Sequence, residues 1–227
     1  MIFAILGILL LAAITLPQLW VKRVMAKYDS DAYRYNLSGA ELARMMLDRY
    51  GLNHVKLEST KEGDHYDPRD KTVRLSESNY TSKTLTAITV AAHEVGHAIQ
   101  HDTDYAPMAL RTRMVGKTAS AERWGAMILM AAPVFAVVAR RPLPALILFG
   151  AGLISMGAPV VAHLITLPVE LDASFNRALP ILKADGHLKP EDEAAAHKLL
   201  KAAAWTYVAS SLGSLLNFWK WLRVIRR

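Results

Sequence analysis

The chain has 227 residues, a net charge of +7 from 27 Lys and Arg against 20 Asp and Glu, and 52% hydrophobic residues. So apolar a composition excludes an intrinsically disordered chain. The absence of cysteine excludes disulfide scaffolds, cysteine zinc fingers, iron–sulfur clusters and thiol nucleophiles. The basic residues mostly flank apolar stretches, which is typical of membrane loops and disfavours nucleic acid as a partner.

The first apolar stretch predicts an N-terminal membrane anchor. Residues 1–21 contain no charged side chain and are long enough to cross about 30 Å of hydrocarbon as a helix. A cleaved signal peptide would have a charged start and a shorter apolar core. Because Lys22 and Arg23 follow the stretch, we expect an uncleaved anchor whose C-terminal flank lies in the cytoplasm.

The polar segment that follows predicts a helix and a small sheet. Ser38 and Glu41 have the spacing of a capping box, which opens an amphipathic helix that Gly51 stops. Residues 55–58 have strand character, and the polar run 59–69 predicts a loop. We expect the alternating segment Thr72–Ser76 to be an exposed edge strand, on which an extended substrate could pair, or an ordinary sheet strand.

A helix predicted over residues 84–101 carries His93, Glu94 and His97 at HExxH spacing. Residues four apart lie on one helix face, so both imidazoles can reach one Zn²⁺ at about 2.1 Å. Glu94 can then touch a zinc-bound water, whose pKa falls to about 7, and take its proton as general base. This arrangement predicts amide hydrolysis; the alternative is a core helix whose two histidines only form hydrogen bonds.

A catalytic zinc ion needs a third protein ligand and one open position. His101 lies about 12 Å along the helix axis from His93, so these two cannot bind one ion together with His97. Asp102 and Asp104 remain candidates for an aspartate-type site, but Glu170 is the best donor.

Two apolar stretches separate the histidines from Glu170. Residues 124–139 and 143–166 predict a transmembrane hairpin that turns at Arg140-Arg141. An even number of crossings returns the chain to its starting face, so Glu170 and the histidines share one side of the membrane. Pro168 suits the first turn of a helix that presents Glu170. The alternative is that Glu170 is an interfacial charge that caps a helix.

Five motifs spread over nearly the whole chain carry a family resemblance. They are Asp64–Arg69, Val73–Ser76, Val90–Gln100, Leu167–Ser174 and Thr206–Val208. They resemble the neutral zinc membrane metallopeptidases of the YugP-like family. The arrangement is also similar to that of the HtpX-like and CAAX prenyl proteases, in which two membrane helices separate the HExxH helix from a ligand glutamate. The resemblance implies that His93, His97 and Glu170 bind zinc and that Glu94 is the general base.

The sequence departs from related enzymes at position 174. HtpX-like and thermolysin-like enzymes commonly place an aspartate four residues after the ligand glutamate, where it orients the first histidine. Here that residue is Ser174, and the nearest acid is Asp172. Asp172 is either the partner of a metal-bound histidine or the ligand itself, with Glu170 in support.

Oxyanion stabilisation requires a donor besides the metal. Arg177, Tyr207 and His163 are candidates for this role or for substrate contacts, and each has a purely structural alternative. His163 lies seven residues before Glu170, and an ionisable group within a membrane segment is a functional candidate.

These observations predict a mainly α integral membrane protein with three or four transmembrane helices and a small α+β zincin-like portion at the cytoplasmic face. Its predicted function is a gluzincin-like zinc endopeptidase that cleaves membrane or membrane-proximal proteins in the cell (inner) membrane. The alternative is a membrane scaffold or chaperone-like adaptor with a structural zinc site. The predicted divisions are an anchor (1–21), a zincin-like portion (22–123), a hairpin (124–166), a third-ligand segment (167–201) and a transmembrane or interfacial helix with a basic tail (202–227).

Overall fold

The computed structural model describes residues 2–29, 34–139, 142–156 and 158–205. Within these ranges the chain is mostly helical and contains one small sheet. Its elements in chain order are α1 (Ile2–Asp29), α2 (Gly39–Arg49), β1 (Lys56–Thr60), β2 (His65–Asp67), β3 (Thr72–Ser76), α3 (Glu77–Thr81), α4 (Leu85–Asp102), α5 (Ala106–Ala139), α6 (Pro142–Met156), α7 (Ala158–Leu171), a π-helical segment (Asp172–Ala178), α8 (Leu179–Ala184), a 3₁₀ turn (Pro190–Asp192) and α9 (residues 193–205).

The predicted boundaries of α2 are confirmed. The Ser38 hydroxyl accepts a hydrogen bond from the Glu41 backbone N–H at 3.2 Å, and the Glu41 carboxylate accepts one from the Ser38 N–H at 2.7 Å. After the helix, Gly51 adopts a φ of 73°, which glycine tolerates without steric cost. The buried face of α2 packs against α4.

The sheet has the order β1-β3-β2, with β1 parallel and β2 antiparallel to β3. Thr72–Ser76 is therefore the central strand, and Val73 and Leu75 are fully buried. The expectation of an exposed edge strand is wrong because the run 59–69, predicted as a loop, supplies β2, which pairs with the second edge of β3.

Helix α4 lies at the centre of the fold. The Thr84 hydroxyl caps its N-terminus by accepting from the Ala87 N–H at 3.1 Å. The helix has no proline and mostly small or apolar residues, and nearly every side chain from Leu85 to Gln100 is buried. A helix that is apolar on most faces requires neighbours all round. Here they are α1, α2, α3, β2, β3, α5, α8 and the π-helical segment.

The chain returns to α4 through a helical hairpin. Helix α5 packs along α6 and α7, and the Ser155 hydroxyl donates to the Ala121 carbonyl at 2.6 Å. From Ala158 to Ala184 the backbone is helical without a break, because α7, the π-helical segment and α8 join end to end. Pro168, expected in a first turn, lies inside α7.

Among the residues that the structure describes, no helix combines the length and the apolar character needed to cross a membrane. The predicted mainly α integral membrane protein with three or four transmembrane helices is therefore wrong. Within the stretch 143–166 the described helices are α6, up to Met156, and α7, from Ala158. Helix α5 has 34 residues, but its first part carries Arg111, Arg113, Lys117 and Arg123.

Residues 2–21, predicted as a membrane anchor, form the first part of α1, which continues as one helix to Asp29. The second part of α1 packs against the core through Val24, Met25 and Tyr28. The predicted turn at Arg140-Arg141, and the part of the predicted C-terminal helix beyond residue 205, lie outside the described residues.

Candidate metal centre

Three side chains from two helices converge at one point in the core. His93 and His97 lie one turn apart on α4, and Glu170 lies at the end of α7. The Nε2 atoms of His93 and His97 are 3.1 and 3.2 Å from Oε2 of Glu170. All three side chains are buried and form a group that can hold a metal ion.

The spacing of these donor atoms fits zinc. Neighbouring ligand atoms of a tetrahedral zinc ion with bonds of about 2.1 Å are about 3.4 Å apart, close to the distances measured here. Two imidazole nitrogens and one carboxylate oxygen are also donors that zinc prefers. Three protein ligands leave the fourth position for water or substrate, as in catalytic zinc sites.

Glu170 is held in the ionised form that binds metal. Burial alone raises its pKa, but the adjacent His97 and His93 imidazoles outweigh this effect and lower the pKa well below its usual range. Its second oxygen, Oε1, lies 3.4 Å from Nη1 of Arg111 on α5. The fully buried carboxylate therefore directs one oxygen to the histidines and the other to a guanidinium.

Gln100 fixes the orientation of His97. Its Nε2 donates to the Val169 carbonyl and to Oδ2 of Asp172, both at 2.8 Å. Because both partners are acceptors, the amide oxygen must be the atom that faces Nδ1 of His97, at 2.9 Å. Nδ1 of His97 therefore carries a proton, which leaves Nε2 as the nitrogen that would bind a metal ion.

His93 receives comparable support from the π-helical segment. The Ser174 hydroxyl lies 3.1 Å from Nδ1 of His93. Position 174, where related enzymes have aspartate, thus contacts the first histidine through a hydroxyl. Asp172 instead contacts Gln100, Asn176 and Arg177, and these bonds lower its pKa against the opposing effect of burial. Asp172 therefore acts on His97 through Gln100, whereas Glu170 faces both imidazoles directly.

Gly96 permits the close packing that brings these groups together. A Cβ at this position would lie 2.8 Å from the Ala173 carbonyl oxygen, closer than real Cβ contacts. The absence of a side chain lets α4 approach the π-helical segment, which carries Ser174. π-Helical turns are rare and frequently occur at functional sites.

Glu94 is buried beside the metal-binding group. Burial raises its pKa to about 7, against the opposing influence of His93. Its side chain borders a cavity of about 150 Å³ that His93 also lines. A carboxyl group with a pKa near neutrality can both accept and return a proton.

The other predicted residues are placed as follows. Arg177 donates from Nε to Oδ2 of Asp172 at 2.8 Å and lies over the Tyr105 ring, 5.7 Å from its centroid. His163 belongs to α7, and Tyr207 lies outside the described residues.

Sequence reasoning missed the roles of two residues. The contact of Gln100 with His97 could have been predicted from the sequence, since Gln100 lies three residues after His97 on the same helix face. The contact of Arg111 with Glu170 could not have been predicted in this way, because it depends on how α5 packs.

Nearly the whole sequence matches a known family. The family described as "Putative neutral zinc metallopeptidase" matches residues 2–226. The chain therefore belongs to this family of zinc metallopeptidases, which confirms the resemblance inferred from its motifs and identifies zinc as the cofactor.

A curated relative supports the same assignment. The chain is 36% identical over 226 residues to "Putative membrane protease YugP" of Bacillus subtilis (strain 168), an alignment that covers 99% of this chain and 96% of the relative. No solved structure matches the chain.

Proposed function

We propose that the protein is a gluzincin-like zinc endopeptidase that hydrolyses peptide bonds in proteins held at a membrane. The observation that carries this proposal is the burial of His93, His97 and Glu170 as one donor group, with Glu94 beside them. Three ligands next to a carboxyl group favour a hydrolase over a scaffold, because structural zinc sites usually have four protein ligands.

Each side chain of the site has a part in this reaction. Zinc bound there supplies a Lewis acid and an activated water. Glu94 accepts the proton of the attacking water and passes it to the leaving amine, for which a pKa of about 7 is suitable. Gln100 and Ser174 keep the two imidazoles oriented, and Arg111 holds the outer oxygen of Glu170.

The cavities around the site support cleavage within a chain. One cavity, of about 150 Å³, borders His93 and Glu94, and another, of about 390 Å³, lies between Arg111 and the residues around β2. An endopeptidase needs room for substrate on both sides of the scissile bond, and the second cavity reaches Arg111, the ion-pair partner of Glu170.

Association with a membrane is supported by the relative's name and by exposed apolar side chains. Large exposed apolar surfaces commonly bind other proteins or lipid. On α5 and α6 these side chains are Met127, Met130, Val134, Phe135, Val137, Val138, Leu143, Leu146, Ile147 and Ile154. We infer that this surface brings the enzyme to substrates already held at the bilayer.

The decisive experiment is the substitution Glu94→Gln. The variant should retain zinc, measured by metal analysis, and lose cleavage of a peptide library by about 10²-fold or more. Glu191→Gln, at an exposed position, is the matched control and should keep both zinc and activity. Full activity in Glu94→Gln contradicts the assigned base. A zinc-loaded wild type that cleaves no peptide contradicts the hydrolase and favours a structural zinc site.

Membrane association is tested separately with one peptide sequence, presented free and tethered to lipid vesicles. We expect faster cleavage of the tethered form, because enzyme and substrate share the surface. Equal rates would contradict the membrane part of the proposal and leave the hydrolase intact.

A further inference from the structure

The cavity beside Glu94 has walls from three helices and one loop. It measures about 150 Å³ and borders His93 and Glu94 directly. Its remaining lining residues are Met25 of α1, Asp64 before β2, Thr89 and Val90 of α4, and Leu199, Leu200 and Ala203 of α9. Most of this lining is therefore aliphatic.

The carboxylate of Asp64 is already engaged in structural hydrogen bonds. Its Oδ1 accepts from the backbone N–H and the hydroxyl of Ser76, at 2.7 and 3.0 Å. Its Oδ2 accepts from Nδ2 of Asn79 at 2.8 Å. These bonds tie the loop before β2 to the end of β3 and to α3.

Thr89 contributes a polar atom to the cavity wall. It is one helical turn before His93, its exposed fraction is 1%, and its Oγ1 has no hydrogen-bond partner within the described part of the chain. A buried hydroxyl without a partner is unfavourable. This hydroxyl could pair with a small polar group that enters the cavity.

We propose that this cavity receives the substrate side chain that follows the scissile bond and selects a medium-sized apolar residue. The proposal rests on the proposed peptidase function. Glu94 returns its proton to the leaving amine, and the residue that supplies this amine is the one that follows the scissile bond. Its side chain is therefore adjacent to Glu94, which lines the cavity.

The size and lining of the cavity define the side chains that fit. An apolar cavity of about 150 Å³ accommodates a group of the size of benzene. Leu, Met and Phe match this volume, Ala leaves most of it empty, and Trp exceeds it. An acidic side chain would lose its hydration next to two further carboxyl groups, those of Glu94 and Asp64.

The first test is the cleavage pattern of the zinc-loaded enzyme on a peptide library. Peptides with Leu, Met or Phe after the cleaved bond should have a kcat/KM about 10-fold or more above those with Ala or Asp there. Cleavage without any preference at this position would overturn the inference while the peptidase function stands. Absence of cleavage on every peptide would instead contradict the proposed function.

A cavity-filling variant makes the test specific. Ala203→Leu should lower the Leu-to-Ala preference at least 10-fold and leave zinc content unchanged, because the added side chain occupies the cavity. Ala194→Leu, on an exposed face of α9, is the control and should keep the wild-type preference. An unchanged preference in a folded Ala203→Leu protein would overturn the inference.

A binding measurement gives a readout that does not depend on turnover. Zinc-loaded Glu94→Gln should bind a fluorescent peptide with Leu at the selected position about 10-fold more tightly than the Ala peptide. Thr89→Val, which only exchanges a hydroxyl for a methyl, should lower the affinity for a Thr peptide relative to a Val peptide. Equal affinities for Leu and Ala peptides would overturn the inference.

Discussion

Arg111 and Glu170 form an ion pair at the edge of the metal centre, with Nη1 of Arg111 3.4 Å from Oε1 of Glu170. Oε2 of the same carboxylate faces His93 and His97, so the two oxygens have separate partners. Because the carboxylate is fully buried, its negative charge depends on these neighbours for compensation.

This pair predicts a stability effect that depends on zinc. Arg111→Met removes the guanidinium and keeps most of the aliphatic stem, which should lower the free energy of unfolding of the metal-free protein by about 1–3 kcal/mol. The loss should be smaller in the zinc-loaded protein, since the ion itself compensates Glu170. Denaturant unfolding with and without zinc measures both values, with Arg113→Met, at an exposed position of α5, as control. Equal losses in the two states would contradict the assigned role.

The contact between Gln100 and His97 predicts an effect on zinc affinity. Gln100→Leu keeps a side chain of similar size but removes the acceptor for Nδ1 of His97, so the affinity should fall about 10- to 100-fold. Competition with a chelator measures this. Asn176→Ala removes a different hydrogen bond to Asp172 and should leave the affinity near the wild-type value. An unaltered affinity in a folded Gln100→Leu variant would refute the orienting role.

The close approach at Gly96 predicts that even a methyl group is harmful there. Gly96→Ala would place its Cβ 2.8 Å from the Ala173 carbonyl oxygen. Since this neighbour is backbone, the helices must separate, at a cost of about 1–3 kcal/mol in the free energy of unfolding. Gly150→Ala, where nothing lies within 4 Å of the added Cβ, should instead stabilise α6 slightly. Thermal or denaturant unfolding distinguishes them, and similar effects of both would contradict the packing argument.

The hydrogen bonds of Asp192 predict how the free energy of unfolding depends on pH. It accepts two hydrogen bonds from Arg34, at 2.6 and 2.7 Å, and one from the Tyr35 hydroxyl at 2.6 Å. The Arg34 bonds, together with Tyr35, lower its pKa in the folded state despite burial. The stabilisation is therefore present above the unfolded-state pKa of about 3.9 and disappears as the pH falls through the lower folded-state value.

The variant Asp192→Asn isolates this contribution. Its unfolding free energy should fall below that of the wild type at neutral pH, and the difference should shrink towards strongly acid conditions. Urea unfolding over a pH series measures the difference. A difference that stays constant with pH would show that the charge of Asp192 does not matter.

Local sequence patterns predicted the features that depend on neighbouring residues. The Ser38–Glu41 capping box and the His93–His97 pair need only the spacing of a helix, so they could be read directly. Glu170 was predicted as the third ligand, and its carboxylate faces both histidines. The reason given, two membrane crossings, was wrong; a helical hairpin returns the chain instead.

Features that depend on distant segments could not be derived in this way. The pairing of β2 with β3 places Thr72–Ser76 in the centre of the sheet, and nothing in its own alternation reveals a second neighbour. Apolar stretches likewise indicate burial in apolar surroundings without showing which neighbours provide them. The contact of Arg111 with Glu170 arises only when α5 is packed against the rest of the fold.

His93 and Glu170 are separated by 77 positions along the chain. A zinc ion bound by both residues would therefore act as a reversible cross-link. The chain segment between the two ligands, which the cross-link closes into a loop, includes all of α5 and α6. Cross-links across long loops chiefly restrict the unfolded chain, and an ion present at about 1,000 times its dissociation constant adds about 4 kcal/mol to stability. Zinc bound at this site would therefore stabilise the fold in addition to its part in hydrolysis. Removal of zinc should lower both the free energy of unfolding and the activity.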